Sequence, residues 1–306
     1  MKIKNVTFKN NIFLAPMAGV SDVAFRELCH FFGAGATWTE MVSVKGLYYK
    51  SKATEELLTT YADENPKIVQ LFGHDEKIFE EVIKSGKLDK FDVIDINMGC
   101  PAPKIVKNGD GSALLRDLDL ARNIIRTCRN ATDKIISVKF RKGYEASDDI
   151  SVEFAKMCQE AGADFITYHP RTKAQGYSGK VDFEDLKRVC QSVKIPVVAS
   201  GDIVDKDSCN KAFEAGCKAV MIGRKAVGCP EIFSLLQGKT ITMSKQEIAK
   251  LHVKLLKRYF DDSKIVNLFK RHALCYTEGQ AGAVEKRKKI ALSKTLEEIE
   301  KNLFDK

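Results

Sequence analysis

The residues with the most chemistry to offer stand between Val93 and Leu115, in VIDINMGCPAPKIVKNGDGSALL. A thiol, Cys100, is followed by two ammonium groups, Lys104 and Lys107, with glycines at 99, 109 and 111. A cysteine of ordinary pKa, about 8.5, is mostly protonated at neutral pH yet able to release its proton, which suits a general acid. A lone cysteine is usually a small buried hydrophobe. One flanked by glycine, prolines and lysines at a strand end reads as part of a site. Val93 to Asn97 has the apolar, β-branched character of a short buried strand. Gly99 lets the backbone turn, and Pro101 and Pro103 are expected to forbid a helix for several residues. The next helix is expected near Ala113.

Further strands are expected at Ile12 to Pro16, Thr37 to Val42, Ile68 to Phe72, Ile135 to Phe140, Phe165 to His169, Val197 to Ser200 and Ala219 to Ile222. Helical patterns lie between them, for example Asp75 to Ser85, Ser112 to Arg129, Ser151 to Ala161 and Asp205 to Ala215. Strands alternating with helices in this number imply a (β/α)8 TIM barrel, an α/β fold. A doubly wound open sheet is the alternative, but no G-x-G-x-x-G follows the first strand.

Barrels of this kind carry their chemistry at the C-terminal ends of the strands. Here those ends are polar: APMAG (15–19), QLFGH (70–74), NMGCP (97–101), VKFRKG (138–143), HPRTKAQGYSG (169–179), SGD (200–202) and GRK (223–225). The last two offer backbone N–H groups beside glycines, the usual barrel site for a phosphate, with Arg224 adding charge. A phosphate-bearing cofactor is expected there.

Beyond Leu236 the strand signal stops. Helices are expected at Ser244 to Tyr259, at about Lys264 to Tyr276 and at Ala283 to Leu303, with Ser244 and Glu247 as a capping box. The expected division is a catalytic barrel over 1–238 and a helical domain over 239–306. Charge divides at nearly the same place. From Lys245 onward there are 15 Lys and Arg against 9 Asp and Glu, so +6 of the net +9 sits in 62 residues. A nearly neutral body with a basic tail suits a polyanion partner. Nine cysteines without a C-x-x-C pair suggest neither a zinc site nor a disulfide framework and suit a reducing cytoplasm. Lys2, Lys4 and Lys9 before IFLAPMAGV imitate a signal peptide, but Pro16 and Gly19 break that run, so neither secretion nor membrane insertion is expected.

NMGCP, Lys104 and GDGSALL together resemble the signature of the tRNA-dihydrouridine synthases, with the bacterial B-type subgroup the nearest match. These are flavin-dependent enzymes that reduce the C5=C6 bond of particular uridines in tRNA. The resemblance spans nearly the whole chain, taking in HPRTKAQGYSG, MIGRKAVGCPEIF (221–233) and FKRHALCYTEGQAGAVEKRKKI (269–290). It implies bound FMN, NADPH as electron donor and tRNA as partner, in a cytoplasmic enzyme acting as a monomer.

By this resemblance Pro16 and Met17 lie along the flavin ring and Gln70 bonds its pyrimidine edge. Lys139 and His169 reach its N1/O2 side and ribityl chain, while Ser200, Gly201, Asp202, Gly223 and Arg224 hold the phosphate. Cys100 gives the proton to C5, and Asn97 meets the uracil edge. Lys104 must point at RNA or be neutralised, since a lysine beside the thiol would depress its pKa. Arg171 and Tyr177 hold the flipped nucleotide, and Lys270, Arg271, Lys286, Arg287 and Lys288 meet tRNA phosphates. Ser200 stands where the family usually has Asn, and Lys173 where it usually has Arg. Two other readings compete: a flavin barrel acting on a free pyrimidine or other small molecule, for which the basic tail is superfluous, and a tRNA-binding protein without catalysis, for which Cys100, Lys139 and His169 are superfluous.

Overall fold

The computed structural model describes residues 1–304. Eight parallel strands close into a barrel: β1 (Ile12–Leu14), β2 (Ala36–Ser43), β3 (Lys67–Phe72), β4 (Val93–Met98), β5 (Ile135–Arg141), β6 (Phe165–His169), β7 (Val197–Ser200) and β8 (Ala219–Ile222), with β8 pairing back to β1. The expected barrel is therefore present, and the strand positions agree within two residues at either end.

Successive strand side chains face opposite sides, and that alternation sorts the barrel. On β4, Ile94, Ile96 and Met98 pack into the large core shared with the surrounding helices. Val93 points inward, with Phe13, Trp38, Ile68, Ile135, Phe165, Val198 and Met221, into a second core closed off by Ile3, Val6 and Phe8. Ile3 and Val6 pair across a short antiparallel hairpin, Lys2–Ile3 with Val6–Thr7, near the N-terminus. The parallel register then stacks inward residues in levels. Ile68, Val93 and Ile135 are apolar; Gln70, Asp95 and Ser137 form the next level; Asn97, Lys139 and Thr167 form the one above. The interior changes from hydrocarbon to polar groups over two such steps, toward the end where the chemistry is expected.

Three helix expectations need correction. Pro103 does not forbid a helix but opens one, Pro103–Lys107, because at the first helical position its missing N–H has no partner to lose. The expected helix from 112 to 129 is two pieces, a 3-10 segment Gly111–Arg116 and an α-helix Leu118–Ala131, since the Asp117 carboxylate caps a new N-terminus by accepting from Leu120 N–H. The last expected helix also divides, into Ala283–Leu292 and Leu296–Phe304. Ser293 ends the first with its hydroxyl on the Lys289 carbonyl, and the Lys270 ammonium bonds the Ala291 and Ser293 carbonyls.

The helices after residue 244 are not a loose appendage. Lys245–Tyr259 packs along the first barrel helix, Val23–Phe31. Phe25 meets His252 and His272 with ring centroids 5.4 and 4.4 Å apart. Burial holds both imidazoles neutral, pushing His272 down to about 4 and His252 well below its ordinary value. Glu27 receives Tyr259 O–H at 2.5 Å and pairs with Arg258, and Lys264 pairs with Glu56 at 2.8 Å.

Beneath this contact lies a buried ion pair, Arg26 Nε to Glu64 Oε1 at 2.8 Å, with Thr37 O–H also donating to that oxygen at 2.9 Å. Removing one partner of such a pair leaves a charge in low dielectric. Arg26→Met is expected to lower unfolding free energy by about 3–5 kcal/mol, read by urea titration; a loss under about 1 kcal/mol would show the pair to be solvated.

Candidate active site at the barrel mouth

Cys100 sits one turn beyond β4, and the turn is tied from three sides. Asn97 Oδ1 accepts from Gly99 N–H at 3.1 Å and Cys100 N–H at 2.9 Å. The Cys100 carbonyl accepts from Ser112 N–H at 3.0 Å. Arg141 Nε donates to the Gly99 carbonyl at 3.0 Å, while its Nη1 reaches the Thr172 and Gly176 carbonyls, joining this turn to the loop after β6. Gly111 is required here: at φ +61° a Cβ would lie 2.9 Å from the Cys100 carbonyl oxygen and 3.0 Å from its Cβ.

The thiol is half-buried. Burial raises its pKa, opposed by the Ala102 N–H and the charges of Arg141 and Lys139. Lys104 is exposed on the short helix after the turn and is not among the groups acting on the thiol. Burial therefore favours the proton on sulfur, unopposed by that lysine.

Gln70, Asn97 and Lys139 come together, and a residue absent from the sequence reading, Asp95, joins them. Gln70 Nε2 donates to Asp95 Oδ2 at 2.7 Å, and its Oε1 accepts from Asn97 Nδ2 at 2.8 Å. Ser137 O–H donates to Asp95 Oδ1 at 2.7 Å. Desolvation raises Asp95 to about 6 and lowers Lys139 to about 8; repulsion from Arg141 lowers the lysine further and Asp95 opposes the fall. The signal for Asp95 is present in the sequence: an acid between Ile94 and Ile96 in a strand has one face to occupy, and that face is the barrel interior. Arg141 shares its face with Lys139 by the same count.

Across the mouth, β6, β7 and β8 end in a second cluster. His169 is buried, with Nε2 unpaired among the described residues. Burial and the charges of Arg141, Lys139, Arg171 and Arg224 keep its ring neutral. Gly201, at φ +110°, follows the buried Ser200, and a Cβ there would sit 2.6 Å from the His169 ring. Asp202 bridges Arg171 Nη2 and Arg224 Nη2, the second at 2.9 Å. Arg171 is buried, bonding the Ser178 and Gly179 carbonyls, with Nη1 unpaired among the described residues; it faces this cluster and not solvent. Tyr177 is exposed, its ring 5.5 Å from the Arg141 guanidinium and 4.5 Å from that of Arg224. Pro16 and Met17 are half-buried on the loop after β1, with Met17 Sδ 3.6 Å from where a Cβ on Gly223 would lie.

The profile of the dihydrouridine synthase (Dus) family matches residues 13–305. The chain belongs to the dihydrouridine synthase family. tRNA-dihydrouridine synthase B of Vibrio parahaemolyticus is 33% identical over 298 residues, covering 94% of this chain and 92% of its own. The probable tRNA-dihydrouridine synthase of Rickettsia bellii is 33% identical over 303 residues, covering 95% and 93%. That of Pseudomonas syringae pv. tomato, again tRNA-dihydrouridine synthase B, is 33% identical over 310 residues, covering 98% and 91%.

In this dihydrouridine synthase the five tail cations separate by environment. Lys270 caps the helix Ala283–Leu292, and the Lys286 ammonium lies against Gln280 Oε1 at 3.1 Å, so both are engaged within the tail. Arg287 and Lys288 are exposed and, among the described residues, bond within their own helix, at the Ala283 carbonyl (3.2 Å) and the Glu285 carboxylate (3.7 Å). Arg271 reaches back to the barrel, its Nη1 3.5 and 3.3 Å from the Ala18 and Gly19 carbonyls, while Gly19 N–H donates to Glu40. A cavity of about 250 Å³ lies between rim and tail, lined by Val23, Arg26, Glu40, Leu57, Phe260 and Leu268 among others; no candidate residue lines it.

Because burial raises the Cys100 pKa, its alkylation by iodoacetamide should climb with pH through a midpoint above the ordinary thiol value of about 8.5. Peptide mass spectrometry reads it site by site. A midpoint below that value would mean that Arg141 and Lys139 outweigh desolvation and that the thiol is a poor proton reservoir.

Proposed function

We propose that this protein reduces the C5=C6 bond of particular uridines in tRNA, with FMN as resident cofactor and NADPH as its reductant. The observation that carries the mechanism is the half-buried Cys100, its pKa raised by burial, fixed just beyond β4 and two strands from a buried His169 whose Nε2 is unpaired among the described residues. The residues fit such a cofactor. His169 Nε2, Thr167 Oγ1 and Arg171 Nη1 are buried polar atoms without partners among the described residues, and buried polar atoms ordinarily have them. Gly201, lacking a side chain, lets its backbone pack directly against the His169 ring, where a Cβ would clash at 2.6 Å. Lys139 and His169 would hold the ring and its chain, and Ser200, Gly201, Asp202, Gly223 and Arg224 would surround the phosphate.

When bound, the flavin supplies the hydride that no protein side chain can carry. The protein does the rest. Cys100 Sγ holds a proton for uracil C5, and the cationic Lys139 stabilises negative charge developing near it. The target base must leave its stack to reach a mouth this deep. Tyr177, exposed between two guanidinium groups, offers a face for a base or ribose beside phosphate-binding charge. The exposed Arg287 and Lys288, with Arg271 at the rim, are the tail's contacts to RNA phosphates. Nine free thiols suit a reducing cytoplasm, and nothing in the mechanism calls for a second subunit.

Cys100→Ala is expected to retain FMN and to accept electrons from NADPH, while tRNA-driven reoxidation of the reduced flavin falls by about 10²–10⁴. Stopped-flow absorbance follows each half-reaction, and unchanged reoxidation would remove Cys100 from the mechanism.

Arg287→Ala with Lys288→Ala should weaken tRNA binding and flatten its log–log salt dependence by somewhat under about one unit per lost contact. NADPH oxidation without tRNA stays as it was. A wild-type salt slope would assign these side chains to solvation alone.

A further inference from the structure

Asp95 is a carboxylate buried at the centre of a barrel, where an uncompensated charge is severely unfavourable. It touches neither the Cys100 thiol nor the cluster around His169, so the chemistry described above gives it no direct task. Its hydrogen bonds give it an indirect one.

The direction of every bond between Asp95 and the Cys100 turn is forced from the far end. The N–H groups of Gly99 and Cys100 are donors and nothing else, so the Asn97 atom facing them must be Oδ1. Its other terminal atom is then the donor Nδ2, so the Gln70 atom facing it must be Oε1. That leaves Gln70 Nε2 pointing the other way, and the residue receiving it must be an acceptor. Asp95 is that acceptor, with its second oxygen fixed by Ser137 O–H. Each side-chain amide has two orientations, and only one sequence of orientations satisfies all the groups.

We propose that Asp95 is a positioning residue for Cys100, setting through Gln70 and Asn97 the hydrogen-bond polarity that fixes the turn carrying the thiol. This rests on the reading of Cys100 as the proton donor. It also gives Gln70 and Asn97 a task beyond contact with flavin or uracil, since both are engaged with each other before either ligand arrives.

The relay has a property that packing lacks: its two bonds through Gln70 can be reversed together. Asn97→Asp places an acceptor-only group against Gln70 while the backbone N–H groups still bind it. Gln70 then stands between two carboxylates and can donate to only one of them. The mismatch is relieved by a proton on one acid, so this variant should lose stability as pH rises through the raised pKa of the pair. Lys139 on β5 is the charged side chain facing Asp95, and it is present in every variant compared.

Combining Asn97→Asp with Asp95→Asn restores both bonds through Gln70 in the opposite sense and leaves the others as they were. Position 97 accepts from Gln70 Nε2, Gln70 Oε1 accepts from the new amide at 95, and Ser137 O–H still finds an oxygen. Asp95→Asn alone also keeps the original sense, presenting its oxygen to Gln70 and its amide to the Ser137 oxygen.

The test is a double-mutant cycle on the two substitutions, read by thermal unfolding from pH 5 to 9 and by the alkylation rate of Cys100. Asn97→Asp is expected to unfold at lower temperature as pH rises and to label Cys100 roughly tenfold faster. The double variant should return to within about twofold of the parent labelling rate and lose the pH dependence, a coupling that independent sites do not show. If Asn97→Asp is too unstable to label, recovery of the folded state in the double variant supports the relay just as well. A double variant no better than Asn97→Asp, or an Asn97→Asp variant that labels and unfolds like the parent, overturns the proposal. None of these readouts uses flavin or tRNA, so the proposal fails independently of the Cys100→Ala experiment.

Discussion

A closed parallel barrel gives each inward side chain a fixed height, and that constraint organises everything at the mouth. Once Ile68, Val93 and Ile135 share a level, the two-residue pleat leaves Gln70, Asp95 and Ser137 no choice but to meet on the next one. Polar groups brought together in this way inside a protein must satisfy one another. The levels differ accordingly: side chains below bind through contact area alone, while those above bind through directed bonds that have a sense as well as a length. The transition between them takes place within single strands, as on the inward face of β4, which runs Val93, Asp95, Asn97.

Much of this is legible in the sequence. The strands are short, β-branched and separated by glycine-ended helices, and that alternation specifies the barrel before any contact is known. The strand-end residues Gln70, Cys100, Lys139 and His169 are visible as polar groups in places where a core would have none. What the sequence hides are features decided by distant partners. Asp95 looks like part of a strand because its partners, Gln70 and Ser137, lie 25 and 42 residues away. Arg171 looks like a surface cation, yet Asp202, 31 residues on, draws it inside. The divided helices are hidden for a local reason: Asp117 and Ser293 act as caps only when the neighbouring backbone turns away, and the apolar periodicity continues across both.

The tail shows how far charge counting goes. An excess of positive charge points to a polyanion, but the excess is not one patch. Lys270 neutralises the carbonyl end of a neighbouring helix, as a cation at a helix C-terminus does. Lys286 lies against Gln280 and Arg271 against the barrel rim, so of the five candidate cations Arg287 and Lys288 are the ones left exposed, hydrogen-bonded or ion-paired among the described residues within their own helix. Net charge reports the field felt by an approaching nucleic acid. It does not report which cations remain available on arrival, because that depends on helix ends that a count does not see.

The seat of Arg271 on Gly19 has a consequence for how such a protein can change over time. A Cβ at Gly19 would overlap the Arg271 guanidinium, and φ is +68° there, so this rim loop and this tail helix are fitted to each other across 252 residues. The histidine pair against Phe25 adds a second fitted surface. A tail exchanged from a relative would have to bring its own counterpart to that glycine.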